Sequence, residues 1–352
     1  MKKLFLFLIV VISTLFTACN SDDPSIIDPP KVTTQGVYVV NEGGFGQNNS
    51  EITFFDILKQ TAAQNVFAGA NSGGVLGDVA NDMKIYNGKG FIVIHGSNKV
   101  EVVDLKDFKR IGVIDLGTGA GPRNIVITGP NDAFVTGFSD KVFHLNISNY
   151  TVKNTFTTGS KPEGIVEAGG KLFVAISGLG QAYQVEVFNA TSGAKVSTIQ
   201  VGINPTQMVK GIDGKIYVVC RGEYDAVGRG MVYRIDPATV KATDSLEVNG
   251  NPSDITLFKN NEALLLVNAG VARISLATMS MINPVFINGA TVNPIYAMAY
   301  ALSYDPVEDR IYVGNPRDFV QSGEIVVYDG AGTEIKRFGA GINPAVAVIA
   351  RF

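Results

Sequence analysis

Histidine and cysteine supply many of the nucleophiles, proton carriers and metal ligands of proteins, and this chain of 352 residues has two of each. They are His95, His144, Cys19 and Cys220. His144 alternates with Phe143 and Leu145, as a strand residue does. Cys220 ends the apolar run 216–219 and reads as a small buried side chain. No HExxH, G-x-S-x-G or P-loop pattern occurs. The stretch Gly43 to Gly46 joins two strand-like runs instead of opening a helix, so it is no phosphate cradle. The expectation is therefore no catalytic residue, no metal and no cofactor: a binding protein, not an enzyme.

The chain does offer hydrogen-bonding side chains at a recurring place. Pro122, Pro162, Pro205, Pro252, Pro294 and Pro344 each open an apolar run, and Ala80 holds the same place in an earlier copy. The residues just after them are polar: Asn81 and Asp82, Arg123 and Asn124, Glu163, Gln207, Ser253 and Asp254, with one aromatic, Tyr296. Three stretches are longer than a turn needs, which marks loops that carry binding residues on a scaffold. They span 41–49 (Asn41, Glu42, Phe45, Asn48), 221–230 (Arg221, Tyr224) and 315–322 (Arg317, Phe319). A short loop, His95-Gly96-Ser97-Asn98-Lys99, adds His95 and Asn98. Amides, acids, arginines and isolated aromatics suit a polar ligand rich in hydrogen-bonding groups.

The elements that must position these residues follow from the period. The opening positions recur every 40–50 residues, and each unit contains four short apolar runs separated by Gly, Asn or Asp turns. In the unit opened by Pro162 the strands are expected at 164–168, 171–176, 184–188 and 195–201. Before Ala80 there is room for three strands only, at 36–40, 51–57 and 62–67. After Pro344 there is room for one, at 345–351. Together these make one more unit. The expected fold is all-β: a seven-bladed β-propeller over 36–352, closed by pairing the C-terminal strand with the N-terminal blade. In such a ring the residues after each Pro lie at the mouth of the central channel. Gly permits the turn into each inner strand and Pro fixes its φ.

Ahead of the repeat, Lys2 and Lys3 precede an apolar run, 4–15, of signal-peptide length. Phe16-Thr17-Ala18-Cys19 reads as a lipobox, with a signal peptide over 1–18 and lipidation of Cys19. Residues 19–35 read as a flexible tether. The acidic Ser21-Asp22-Asp23 resembles a surface-export signal, which implies a lipid-anchored protein of the outer membrane facing the cell exterior. A net charge of −3, with no basic run, argues against a nucleic-acid partner.

Two stretches carry a resemblance. One is Val39-Val40-Asn41-Glu42-Gly43 through Gly46, Asn48 and Ser50 to Phe55-Asp56. The other is Leu76-Gly77-Asp78-Val79-Ala80-Asn81-Asp82-Met83 with Ile85-Tyr86, Ser97-Asn98 and Val100-Glu101-Val102. Together they resemble the outer-surface propeller lipoproteins of Bacteroidetes that capture cobalamin for a TonB-dependent transporter (the BtuG type), within the wider class of YncE-like propellers. The resemblance implies a corrinoid bound across the propeller face and passed to an outer-membrane transporter. The aromatics would face the corrin ring, and the Asn, Gln and Arg side chains its amides. Two other readings use the same residues: a surface module for a glycan or protein partner, and a lyase like the seven-bladed streptogramin lyases. The lyase would need a catalytic His with metal-binding acids at the channel mouth, where His95 is the candidate.

Overall fold

The computed structural model describes residues 33–223 and 229–351. The expected signal peptide, the lipidation site Cys19, most of the tether and Tyr224 lie outside the described residues. Seven four-stranded antiparallel sheets make the seven blades of a β-propeller. Their inner strands, numbered as blades one to six, are Ala80–Tyr86, Pro122–Ile127, Pro162–Ala168, Pro205–Lys210, Asp254–Phe258 and Leu302–Asp305. Blade seven is composite: its inner strand Pro344–Ala350 pairs with Gly36–Asn41, which pairs with Glu51–Asp56 and then Thr61–Ala63.

Alternation along each strand explains how the blades stack. A strand sends successive side chains to opposite faces of its sheet, and both faces of a blade meet a neighbour. In Gly36–Asn41, Val37 and Val39 pack against Tyr312, Ile325 and Val327 of blade six. Tyr38 and Val40 pack against Met83, Ile92 and Ile94 of blade one. This is why second strands read as unbroken apolar runs: Ile216–Cys220 is buried throughout, Cys220 included. Each blade interface holds its own apolar cluster, so the core is a ring and not a ball.

The closure has three supports. The strand ladder runs from Gly36↔Ala350 to Asn41↔Pro344. Below it, Asp305, fully buried, accepts from Thr34 Oγ1 and from the guanidinium of Arg351. Thr34 and Gln35, expected in the tether, thus belong to the propeller; the Gln35 N–H donates to the Ala350 carbonyl. Above it, Asn41 is fully buried. Its Nδ2 donates to Thr53 Oγ1 at 3.1 Å and to the Val39 carbonyl at 3.2 Å, and its Oδ1 accepts from the Gly341 N–H at 3.0 Å.

Two expected strands are corrected. The strand expected at 62–67 stops at Ala63, and Val66–Ala70 forms a short helix that buries Phe67. The strand expected directly after Pro294 begins only at Leu302. There the chain first makes a helical turn, Gly289–Val292, and Asn293 Oδ1 then accepts from the N–H groups of Ile295 and Tyr296. That side-chain turn bends the chain away from the strand direction and lays 295–301 over the channel mouth. Among the described residues no helix is long and apolar enough to cross a membrane.

The Asn41 carboxamide is buried and bonded on both sides of the closure, so its loss leaves buried polar groups unmatched. Asn41→Ala should lower unfolding free energy by about 2 kcal/mol, whereas Gln47→Ala, at an exposed position with ordinary backbone, should change it by less than about 0.5 kcal/mol. Urea denaturation of the two variants checks this; equal midpoints would refute a structural role for Asn41.

Candidate functional site

The crossings into the inner strands and the loops between second and third strands share one face of the disc. The crossings are not passive. The residue before Ala80 or the opening Pro has left-handed backbone in six blades: Val79, Gly121, Lys161, Asn204, Asn251 and Asn343. Asn tolerates that conformation better than most residues, which accounts for its recurrence before Pro. The carboxamide then does a second job. Asn343 Nδ2 donates to the Gly43 carbonyl at 3.0 Å, and Asn251 Nδ2 to the carbonyls of Arg221 and Glu223, each at 3.2 Å. Asn293, with an ordinary negative φ, donates to the Arg317 carbonyl at 2.9 Å. Each of the three long loops is thus pinned by a crossing asparagine: Asn343 and Asn293 on the way into the blade that carries the loop, Asn251 on the way into the blade after it.

Between these loops a cavity of about 470 Å³ opens over the channel. Seven of the expected residues line it: Glu42, Asn81, Arg123, Asn124, Gln207, Arg221 and Tyr296. Ser253 and Asp254 are also there, with Asn268, Tyr300 and an apolar patch that includes Leu266, Val267 and Met298. Tyr300, Asn268 and Met298 escaped the sequence reading. Tyr300 and Met298 stood where an inner strand was expected, and Asn268 follows an apolar strand with no punctuation of its own.

The mouth is organised by charge. Tyr300 Oη donates to Glu42 Oε2 at 2.7 Å, and Asn81 Nδ2 approaches Glu42 Oε1 at 3.5 Å. Burial pushes the Glu42 carboxyl above its ordinary range, while the Tyr300 bond and the nearby Arg123 charge pull it back. Arg123 Nε donates to Glu163 Oε2 at 2.8 Å, and its guanidinium lies over the Phe138 ring at 4.8 Å. Burial likewise raises Glu163, and Arg123 opposes it. Phe319, outside the cavity lining, meets Tyr300 edge-on at 5.5 Å and lies 6.3 Å from Tyr296. Tyr296 is 52% and Phe319 39% exposed, so the two rings form an aromatic rim.

Asp254, half-buried in the cavity wall, has a single protein hydrogen bond among the described residues, from the Ile255 N–H at 2.8 Å. Burial pushes its carboxyl up to about 7. The Ile255 N–H and Lys84 pull the other way, and Asp82 adds to the rise.

Other expected site residues have structural employment. Asn41 is part of the closure described above. Asp82 is buried and accepts from the N–H groups of Met83 and Ile125 and from Lys84 Nζ at 2.6 Å, so it ties blade one to blade two. The carboxylate of Asp78 accepts from the Asn48 and Gly46 N–H groups, which fixes the loop carrying the exposed Phe45. Asn98 Oδ1 accepts from the Gly121 N–H at 2.9 Å. His95 packs edge-on to Phe138 at 5.4 Å and does not line the cavity; burial lowers its pKa, which favours the neutral ring. Arg317 reaches Glu324 at 3.6 Å and stands outside the cavity. His144 hydrogen-bonds Asp132 at 2.6 Å away from this face, as a strand residue. Among the described residues, no three His, Cys, Asp or Glu side chains are grouped to hold a metal ion.

Comparison with known proteins agrees with this architecture. A family model described as a domain of unknown function (DUF5074) matches residues 35–339. No curated protein matches the sequence. Among solved structures, a quinonprotein alcohol dehydrogenase-like protein from Bacteroides thetaiotaomicron superposes with a TM-score of 0.67 at 16% identity, over 91% of this chain and 79% of that one. A protein from Lactobacillus plantarum gives 0.69 at 12% identity, over 90% of this chain and all (100%) of the other. A protein of unknown function from Bacteroides caccae gives 0.52 at 13% identity, over 74% and 97%. At these identities the likeness is one of fold.

The raised Asp254 carboxyl makes a prediction about stability. At low pH the folded and unfolded chains both hold its proton. As pH rises from about 4 to about 7 the unfolded chain releases the proton first, so stability falls; above about 7 the folded state carries the whole cost of the charge. Asp254→Asn should remove this loss and be more stable than wild type at pH 8 by on the order of 2–4 kcal/mol, with little difference near pH 4. Urea midpoints across that range decide it; parallel profiles would mean that Asp254 titrates as a solvent-exposed carboxyl does.

Proposed function

The chain belongs to the DUF5074 family, and from that premise we propose that it is a ligand-binding propeller whose site is the cavity at the channel mouth, with a corrinoid as the ligand. The observation that carries the binding reading is the cavity itself. It falls within the size range of small-molecule sites, and its wall combines an apolar patch and Tyr296 with converging amides, acids and arginines, while Phe319 stands beside Tyr296 outside the lining. The corrinoid assignment rests on the resemblance in the first third of the chain. Within those stretches Glu42 and Asn81 line the cavity, and their carboxylate and amide complement the carboxamide arms of a corrin rim. A whole corrinoid is larger than this cavity. In this reading one edge enters while the macrocycle rests on Tyr296 and Phe319.

The reading continues outward from the site. The protein is a non-enzymatic carrier, lipid-anchored at Cys19 on the outer membrane and facing the exterior, and it hands its ligand to a TonB-dependent transporter. His95 gives the lyase reading no support, since it packs against Phe138 and does not line the cavity. The aromatic rim next to acids and amides equally suits a sugar ring, so a surface glycan is the second reading.

Calorimetric titration of the purified protein with cobalamin and cobinamide should give binding at micromolar concentration or tighter. Tyr296→Ala with Phe319→Ala should weaken it by about 10- to 100-fold, the loss of two stacking rings. No heat with either corrinoid, alongside binding of a neutral oligosaccharide, would replace the first reading by the second.

A further inference from the structure

Asp82 and Asp254 occupy the same place in their blades, two residues after Ala80 and Pro252, and their surroundings differ. Asp82 is met by two backbone N–H groups and a lysine, which satisfy and neutralise it inside the frame. Asp254 opens the inner strand of blade five, lines the cavity and receives one N–H on Oδ1. Among the described residues nothing donates to its Oδ2. The nearest charges that act on it, Lys84 and Asp82, come from blade one and are already paired with each other at 2.6 Å. Asp254 is only half-buried and lines the cavity, so its Oδ2, with no protein donor among the described residues, stands within reach of a donor on a ligand. The other acids at the site have donors: Glu42 has Tyr300 and Asn81, and Glu163 has Arg123.

We propose that Asp254 is the specificity residue of this cavity, taking an N–H or O–H donor from the part of the ligand that enters deepest and refusing a carboxylate in the same place. The inference rests on the cavity being the ligand site; it does not require the ligand to be a corrinoid. The donor is neutral, a carboxamide or a hydroxyl. Lys84 near the floor, with Arg123 and Arg221 in the wall, works against an added cation. Above the raised Asp254 pKa, a ligand carboxylate there would set two like charges together, an arrangement that costs binding.

The test compares an amide-armed with a carboxylate-armed corrinoid, and the Asp254→Asn variant separates the part of their difference that depends on the Asp254 charge. At pH 8.5, where Asp254 is charged, the wild-type protein should bind dicyanocobinamide, whose arms are amides, at least about tenfold more tightly than cobyrinic acid, whose arms are carboxylates. In Asp254→Asn, whose side chain keeps its size and loses its charge, the ratio should fall below about threefold. Equal affinities in wild type, or an unchanged ratio in the variant, would overturn the assignment. If neither corrinoid binds, the corrinoid reading fails by itself and a fragment pair decides this one. In carboxyl-detected NMR of the wild-type protein, propionamide should move the Asp254 resonance and propionate should not. A response to both fragments, or to neither, overturns the proposal.

Discussion

A propeller is a chain of blades that must meet its own beginning, and here everything else depends on that meeting. Open at one blade interface, the ring would expose an apolar cluster on each of two sheets and a strand edge with no partner. The pairing of Pro344–Ala350 with Gly36–Asn41 prevents this with a ladder, the buried Asn41 above it, and the Asp305, Thr34 and Arg351 group below it. The same closure assembles the site. Glu42 follows the strand that closes the ring, and its partner Tyr300 comes from the crossing into blade six, 258 residues along the chain. A chain that folded every blade and failed to close would have no mouth.

The crossing asparagines extend this dependence from the frame to the loops. A long loop on a rigid disc would ordinarily cost conformational entropy each time it took up a binding shape. Here Asn343, Asn251 and Asn293 each hold one long loop by a main-chain carbonyl, so side chains on those loops can vary without loss of the anchor. One residue type therefore serves two purposes. Its tolerance of positive φ makes the turn at Asn251 and Asn343, and its amide fixes the neighbouring loop. The repeated Asn-Pro is thus more than a blade boundary: it is the joint between the blades and the site.

Much of the fold was legible because two periods coincide, a residue alternation of two within strands and a repeat of 40–50 residues between them. Blade number, closure and the face carrying the long loops follow from these alone. The errors fall where a local hydrogen bond overrode the pattern. Asn293 turned the chain at 295–301, which moved Tyr296 from a strand to the rim and hid Tyr300. The site was half legible for a similar reason. Sequence can place a polar residue at the mouth, but it cannot say whether a neighbouring strand has already used its oxygens. Asn41 and Asp82 read as ligand contacts and are in fact bonded into the frame.

The contrast between Asp82 and Asp254 shows what decides such cases. Equal position in the repeat gives equal exposure to the channel in principle, so the difference must come from what each neighbouring blade presents. Blade two brings the Ile125 N–H to Asp82, and Lys84 on the same strand neutralises it. At Asp254 the corresponding space is cavity, and the carboxyl is left with one N–H and a pKa raised by burial to about 7. A structural role would favour a neutral residue there, since a raised carboxyl pKa subtracts from stability at neutral pH. The fold bears that cost at the mouth of its channel, and local costs of this kind are what functional sites commonly carry.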